Sequence, residues 1–94
     1  MDKLTIHAGI CDSIKNLYQR KNADYGDSFG KARKAVPNYT LGKLYDKFSR
    51  YMNLTLNGEG SAQVDESLDD TLMDLANYAI MELTERRLEK EGNQ

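Results

Sequence analysis

The chain has 94 residues, of which 39% are hydrophobic and 30% charged, and its formal net charge at pH 7 is −2. This composition is typical of a single globular domain, and the charge argues against a strongly basic nucleic-acid-binding protein or a polybasic membrane anchor. No run approaches the ~18 apolar residues of a membrane span. One cysteine cannot form an internal disulfide, which favours a cytoplasmic protein. We therefore expect one cytoplasmic domain over residues 1–94.

Four helices are predicted in chain order, and strand-like alternation is absent from the sequence. An apolar stripe predicts the first helix over residues 3–22, and the Asn-, Asp- and Gly-rich segment 22–28 predicts a turn after it. A short helix is expected from residue 29 to about residue 36, where Pro37 ends it. The predicted fold class is all-α, a small bundle of three main helices plus a short one.

The last two predicted helices have the clearest apolar faces. Thr40 is a favourable N-cap for a helix over residues 41–56, and Asp65 for a helix over 65–90 with a frayed tail at 89–94. The inner face of the third helix is predicted to comprise Leu41, Leu44, Tyr45, Phe48, Met52 and Thr55. The apolar arc of the fourth comprises Leu68, Leu72, Leu75, Ala76, Ala79 and Leu83. A domain of this size buries only about two-thirds of its unfolded surface, so we expect a homodimer or a higher homo-oligomer.

Three carboxylates, Glu66, Asp70 and Asp74, recur every four residues along the fourth predicted helix. Like charges at this spacing destabilise a helix, whereas a bridging divalent cation would reverse the sign of the effect. Mg²⁺, with Mn²⁺ as a substitute, is the metal that such carboxylates would hold. The alternative is a solvated face at a helix N-terminus, where acidic side chains complement the helix dipole. That alternative accounts for Glu66 and partly for Asp70, but not for Asp74.

Two further features are candidates for contact with a phosphate-bearing ligand. Residues 21–28 offer backbone N–H groups, amides and the ring of Tyr25 to a base or a phosphate, and a simple Asx-type turn is the alternative. The third predicted helix carries a cationic flank of Lys43, Lys47 and Arg50 that could bind phosphates. Ion pairing with the acidic residues, or plain solvation, is the alternative for that flank.

Three segments form a recognisable combination: KNADYGDSF at 21–29, DKFSR at 46–50 and DESLDDTLMDLANYAIM at 65–81. Together they resemble a small phage and prophage domain family called "nucleotide modification associated", over about residues 18–85. That family in turn looks related to the all-α MazG-like and dimeric dUTPase-like nucleoside triphosphate pyrophosphohydrolases. The relationship implies a helical homo-oligomer that holds Mg²⁺ on helix carboxylates and cleaves a nucleotide between its α- and β-phosphates.

The resemblance also implies roles for individual residues. Glu66 and Asp70 would be catalytic and, with Asp74, would hold Mg²⁺. The nucleotide would contact Lys21, Asn22, Tyr25, Asp27, Lys47, Arg50 and Asn77. The first signature of the wider group, Glu-Glu-x-x-Glu, is missing, and the corresponding helix carries Lys43, Asp46, Lys47 and Arg50.

This departure leaves three functions open. The first is a Mg²⁺-dependent pyrophosphohydrolase that acts on a free nucleotide. The second is a non-catalytic protein that sequesters a nucleotide or a nucleotide signal. The third is a small helical protein-interaction module. The expected partners are a nucleotide and further copies of the chain, and neither a membrane nor a nucleic acid is expected.

Overall fold

The computed structural model of the chain describes residues 2–63 and 66–92. Helix makes up 88% of these residues, and none of them lies in a strand, which confirms the predicted all-α class. No helix among them is both long and apolar enough to cross a membrane. The elements are α1 (Lys3–Tyr25), α2 (Ser28–Ala35), α3 (Tyr39–Asn57), a 3₁₀ turn (Glu59–Ser61) and α4 (Leu68–Gly92).

The first helix is three residues longer than predicted. It begins after Asp2, whose carboxylate accepts a hydrogen bond from the backbone N–H of Thr5 at 2.8 Å. It ends at Gly26, which has a φ of 54° and donates its N–H to the carbonyl of Asn22 at 2.8 Å. Residues 23–25 therefore continue the helix, because the residue that readily takes the left-handed conformation comes only after them.

The third helix begins at Tyr39, two residues earlier than it would with Thr40 as its cap. Asn38, in the left-handed region with a φ of 59°, is the residue before the helix, so the prediction for Thr40 is wrong. Thr40 lies inside α3 and is buried, and its hydroxyl donates to the carboxylate of Glu82 on α4 at 2.7 Å. A contact with a distant helix thus replaces the predicted local cap.

The fourth helix begins at Leu68, three residues later than predicted. Ser67 and Asp70 form a reciprocal cap: the hydroxyl of Ser67 accepts from the N–H of Asp70 at 3.0 Å, and the carboxylate of Asp70 accepts from the N–H of Ser67 at 3.4 Å. Asp65, the predicted cap, lies outside the described residues. Residues 89–92 of the predicted frayed tail belong to the helix.

The apolar stripe of α3 points away from the other helices. Leu41, Tyr45, Phe48 and Met52 are between 46% and 68% exposed, so the prediction that they form the inner face is wrong. The helix turns the opposite face towards α4 because the hydrogen-bonding groups of Thr40 and Lys47 find partners there. The buried and half-buried residues of α3 on this side include Thr40, Leu44, Lys47, Arg50, Tyr51 and Leu54.

Much apolar surface of the single chain stays uncovered. In the described part of the chain the buried apolar side chains are Ile14 and Leu54, and the predicted α4 arc leaves Leu72 and Leu83 39% and 54% exposed. The accessible surface is 7416 Å², against ~5,500 Å² expected for a monomeric protein of this mass. The radius of gyration is 15.2 Å, against about 12 Å for a compact domain of this length.

An ion-pair cluster ties the short helix α2 to α4. The guanidinium of Arg33 donates two hydrogen bonds of 2.9 Å to the carboxylate of Glu82, and a third of 2.5 Å to Glu89. The hydrogen bonds from Arg33, followed by the one from Thr40, lower the pKa of Glu82 to about 2. The cluster therefore contributes to stability only while Glu82 is ionised.

We expect the contribution of Glu82 to fade as the pH falls. Its pKa is lowered from 4.5 in the unfolded chain to about 2 in the folded one, so its stabilisation is complete above pH 4.5 and declines towards pH 2. At pH 7, Glu82→Gln should cost of the order of 1–3 kcal/mol in urea unfolding. The difference between variant and wild type should narrow by more than half at pH 3. A difference that stays constant with pH would show that the carboxylate is not stabilised by this cluster.

Candidate functional site

A cavity of about 430 Å³ opens where all four helices meet. We call it the aromatic cavity, because five rings line it. The second half of α1 and the start of α2 form one side, and the start of α3 and the middle of α4 form the other. The rings are those of Tyr18, Tyr25, Phe29, Tyr39 and Tyr78, and the polar side chains include Lys21, Asn22, Lys43, Asp74 and Asn77.

Packing between rings connects three of the helices at this cavity. The ring of Phe29 lies edge-on to that of Tyr39, with centroids 5.8 Å apart, and at 6.2 Å from that of Tyr78. Tyr25 is 69% exposed at the edge of the cavity. The cavity therefore offers ring faces and edges to a flat aromatic group.

Asn77 is the polar residue of this cavity that bears most directly on which ligand the cavity could bind. It is only 6% exposed, and its side chain makes no hydrogen bond within the part of the chain that the structure describes. No buried side-chain nitrogen or oxygen of the described residues lacks a hydrogen-bond partner, so the amide of Asn77 is reached by solvent at the cavity, where water or a ligand can bind it. The amide has two N–H donors and an acceptor oxygen, which suits the edge of a nucleobase.

Two lysines supply positive charge to the aromatic cavity. Lys21 comes from α1 and Lys43 from α3, and neither forms an ion pair with any described residue. The ammonium of Lys43 lies 5.3 Å from the centroid of the Tyr39 ring, a cation–π contact that holds it at the cavity wall. Both ammonium groups are thus available to an anion.

The predicted loop after the first helix is partly a helix and partly a tight turn. The side-chain oxygen of Asn22 accepts from the N–H of Asp27 at 3.2 Å, and Gly26 and Asp27 both have a positive φ. This hydrogen bond spans five residues, whereas an Asx turn spans two, so it is not the predicted Asx-type turn; it connects the last turn of α1 to the residue before α2. Asn22 also lines the aromatic cavity. Asp27, predicted to contact the nucleotide, is not among the residues that line it.

Two of the three residues of the cationic flank of α3, Lys47 and Arg50, form ion pairs with carboxylates. The ammonium of Lys47 lies 3.2 Å from Glu66 and 3.0 Å from Asp74. The guanidinium of Arg50 lies 3.2 Å from the carboxylate of Glu66, donates to the hydroxyl of Thr71 at 3.0 Å and donates to the Glu66 carbonyl at 2.5 Å. We call these five residues the Lys47 cluster. Ion pairing, the alternative considered from the sequence, is thus what the structure shows for Lys47 and Arg50.

The ammonium group of Lys47 is stabilised in its charged form by this cluster. Burial lowers the pKa of its ammonium, but the hydrogen bonds with Asp74 and Glu66 raise it by more, so the balance lies above the usual value. Lys47 therefore stays protonated at neutral pH. Its positive charge occupies the position between Glu66 and Asp74 that a bridging metal ion would need.

The three predicted metal ligands line a second cavity of about 490 Å³, which we call the acidic cavity. Glu66, Asp70 and Asp74 lie on its wall opposite α1, and the cavity shares Lys21 and Asp74 with the aromatic cavity. Within residues 2–63 and 66–92, no group of three or more acidic, His or Cys side chains is arranged to hold a metal ion. As placed, these carboxylates do not fit a Mg²⁺ site, because Lys47 takes up two of them and Asp70 caps α4.

The sequence predicted some of the residues that line the aromatic cavity and did not predict others. Lys21, Asn22, Tyr25 and Asn77 were all predicted to contact a nucleotide, and all line one cavity. Tyr78, whose position off the apolar arc of the fourth helix predicts a dimer seam or a ligand contact, also lines it. The missed residues are Tyr18, Phe29 and Tyr39, whose rings come from three different helices. Their shared position depends on how the helices pack, and the only local signal was the unusual number of tyrosines, six in the chain.

Comparison with known proteins identifies the family. The family model described as "nucleotide modification associated domain 1" matches residues 21–85. Neither a search of curated proteins nor a search of solved structures yields a match. The matched segment contains α2, α3, the Lys47 cluster and most of the residues that line the aromatic cavity. The chain therefore belongs to the nucleotide modification associated domain 1 family.

Proposed function

We propose that this protein binds a nucleotide in the aromatic cavity and needs no resident metal ion to do so. The observation that carries the proposal is the side chain of Asn77, which is only 6% exposed, lines the cavity and makes no hydrogen bond with the described residues. The base would lie against the tyrosine rings and bind this amide by its edge. The family name gives independent support, because it links the domain to nucleotide modification.

The chemistry of the cavity suits both ends of a nucleotide. Stacking of a base on an aromatic side chain is worth about 1–3 kcal/mol. The ammonium groups of Lys21 and Lys43 would contact phosphate oxygens by charge-assisted hydrogen bonds. In this proposal Lys47 and Arg50, first considered as phosphate ligands, instead hold Glu66 and Asp74 and keep α3 in register with α4.

Hydrolysis is the second candidate, and one observation favours it. Glu66, Asp70 and Asp74 share the wall of the acidic cavity, which adjoins the aromatic cavity. A MazG-like pyrophosphohydrolase would use such carboxylates with Mg²⁺, which activates water and neutralises phosphate charge. This candidate requires Lys47 to leave Glu66 and Asp74. Asp70→Asn should then abolish product formation while the helical circular dichroism signal persists, because asparagine can still cap α4.

We also propose that the protein works as a homodimer or a higher homo-oligomer in the cytoplasm, that of a host cell if it is encoded by a phage. The surface in excess of a compact monomer is about 1,900 Å² for one chain. Obligate homodimers bury 2,000 Å² or more in total. The apolar stripe of α3 is the best candidate for the interface, because it is continuous over about three helical turns and faces away from α4.

A thermal-shift screen tests the proposed function. Nucleoside mono-, di- and triphosphates and cyclic nucleotides are added with and without Mg²⁺, and every hit is assayed for release of phosphate or pyrophosphate. A ligand at one hundred times its Kd adds ~2.7 kcal/mol of stability, which raises the Tm of a small domain by several degrees. We expect a shift without Mg²⁺ and without product. A shift with product would establish the hydrolase instead, and no shift would leave the protein-interaction module.

A further inference from the structure

A third cavity, of about 200 Å³, lies between α1 and α4, and most of its surface is apolar. We call it the apolar groove. The residues that line it are Cys11, Ile14, Lys15 and Tyr18 from α1 and Asn77, Ile80, Met81 and Thr84 from α4. The hydroxyl of Thr84 donates to the carbonyl of Ile80 at 2.9 Å, so its proton is already used within α4. The groove therefore suits an apolar group better than a polar one.

The apolar groove is continuous with the aromatic cavity. Tyr18, Asn77 and Met81 line both. Cys11 lies two helical turns before Tyr18 on α1, and Thr84 lies about one turn after Met81 on α4. The groove thus extends away from the aromatic cavity along both helices. A base that contacts the amide of Asn77 would lie at the junction of the two spaces.

We infer that the aromatic cavity and the apolar groove together bind a nucleotide whose base carries an apolar substituent. The inference rests on the proposed function, since it presupposes that the base contacts Asn77. The substituent projects from the base beside that amide and packs against Ile14, Ile80 and Met81. An apolar cavity of ~150 Å³ holds a benzene molecule. The groove, at about 200 Å³, therefore has room for a propynyl or a benzyl group, which an unmodified base does not supply.

Titration calorimetry in EDTA compares bases that differ only in the substituent. One series is deoxyuridine, thymidine and 5-propynyl-deoxyuridine, and the other is deoxyadenosine and N6-benzyl-deoxyadenosine. Each compound is tested as the free nucleoside, the 5′-monophosphate and the 5′-triphosphate. Burial of each methylene group tightens binding about fourfold. In the series that binds more tightly, we expect the substituted base to bind at least about tenfold more tightly than its parent.

Cys11 reports on occupancy of the groove. It is the single cysteine of the chain and is exposed, so iodoacetamide alkylates one thiol. A substituent that packs into the groove blocks access to this thiol. A saturating concentration of the substituted nucleotide should therefore slow alkylation at least ~5-fold, and the parent nucleotide should not.

Matched variants separate filling of the groove from a general effect of an added ring. Ile80→Phe fills the groove and changes no residue that lines the aromatic cavity. It should remove the advantage of the substituted base and leave binding of the parent unchanged. Leu88→Phe also places a phenyl ring on α4, at an exposed position outside the lining of both spaces. It should retain the advantage.

The outcomes distinguish the inference from the proposed function. Equal binding of substituted and parent bases, or a preference that Ile80→Phe leaves intact, would overturn the inference and leave nucleotide binding in place. An absence of binding by every probe would overturn both. Alkylation of Cys11 that slows with protein concentration, and with none of the probes, would show that a second copy of the chain covers the groove and would overturn the inference.

Discussion

Replacing Phe48 by glutamate should break the homo-oligomer. Phe48 is 52% exposed in the single chain and lies in the middle of the α3 stripe, with Tyr45 and Met52 one turn to either side. If a second copy covers this stripe, the variant places an unpaired charge in an apolar interface, which is strongly unfavourable. We expect association to weaken at least ~100-fold, or about 3 kcal/mol. Sedimentation equilibrium measures the change in mass directly.

Asn53→Glu provides the matched control for this variant. It introduces the same side chain on α3 at an exposed position that lies off the stripe. It should retain the oligomer and the Tm of the wild type. Because few apolar side chains are buried in the single chain, the proposed partner would add stability, and Phe48→Glu should also melt several degrees lower. A monomeric wild type, or a Phe48→Glu protein with unchanged mass, would contradict the proposed interface.

Replacing Lys47 by methionine should make the thermal stability of the protein respond to divalent cations. The variant leaves Glu66 and Asp74 without their shared ammonium, and these side chains are 25% and 19% exposed. We expect a loss of ~1–3 kcal/mol, between the values for exposed and for buried ion pairs. This loss corresponds to a decrease in Tm of ~5–15 °C. Differential scanning calorimetry in EDTA measures it.

Addition of millimolar Mg²⁺ or Mn²⁺ then distinguishes the two candidate functions. In Lys47→Met the cation can bridge the released carboxylates and should recover several degrees of the lost Tm. The wild type and a Lys31→Met control should not respond, because Lys47 already lies between Glu66 and Asp74. A large Mg²⁺-dependent shift in the wild type would contradict this account and favour the pyrophosphohydrolase.

The elements of this fold could be predicted from the sequence because helix signals are local. The periodicity of α1, the turn chemistry around Gly26 and the two long helices at the C-terminal end all follow from neighbouring residues. The errors occur where a tertiary contact competes with a local rule. Thr40 has the side chain of an N-cap, but it donates to Glu82 across the helix pair instead.

The orientation of α3 illustrates a second limit of sequence analysis. A continuous apolar stripe was assigned to the interior because burial of apolar surface is the usual driving force of folding. In the single chain the ion pairs of Lys47 and Arg50 and the hydrogen bond of Thr40 turn the opposite face towards α4. An apolar face can be covered by the same chain or by another one, and one sequence does not distinguish the two.

The candidate site could be predicted in part. The segment at 21–28 was identified by its residue types, and the roles of Lys21, Asn22, Tyr25 and Asn77 follow from the family resemblance. These four residues do share a cavity. The acidic residues were interpreted as metal ligands because their spacing places them on one face of a helix. Glu66 in fact precedes α4, and Lys47 reaches it from α3 across a separation of 19 residues. Such a contact has no signature in the spacing of either helix.

The central claim is that the aromatic cavity binds a nucleotide through the amide of Asn77. The most direct test follows the side-chain amide signals of the ¹⁵N-labelled protein during titration with the nucleotide that gives the largest thermal shift. We predict that the Asn77 signals shift most, and that the same titration leaves Asn53, which lies off the cavity on α3, unaffected. Saturable binding with Asn77 unperturbed would contradict the account, because the nearly buried amide that motivates it would then have no role.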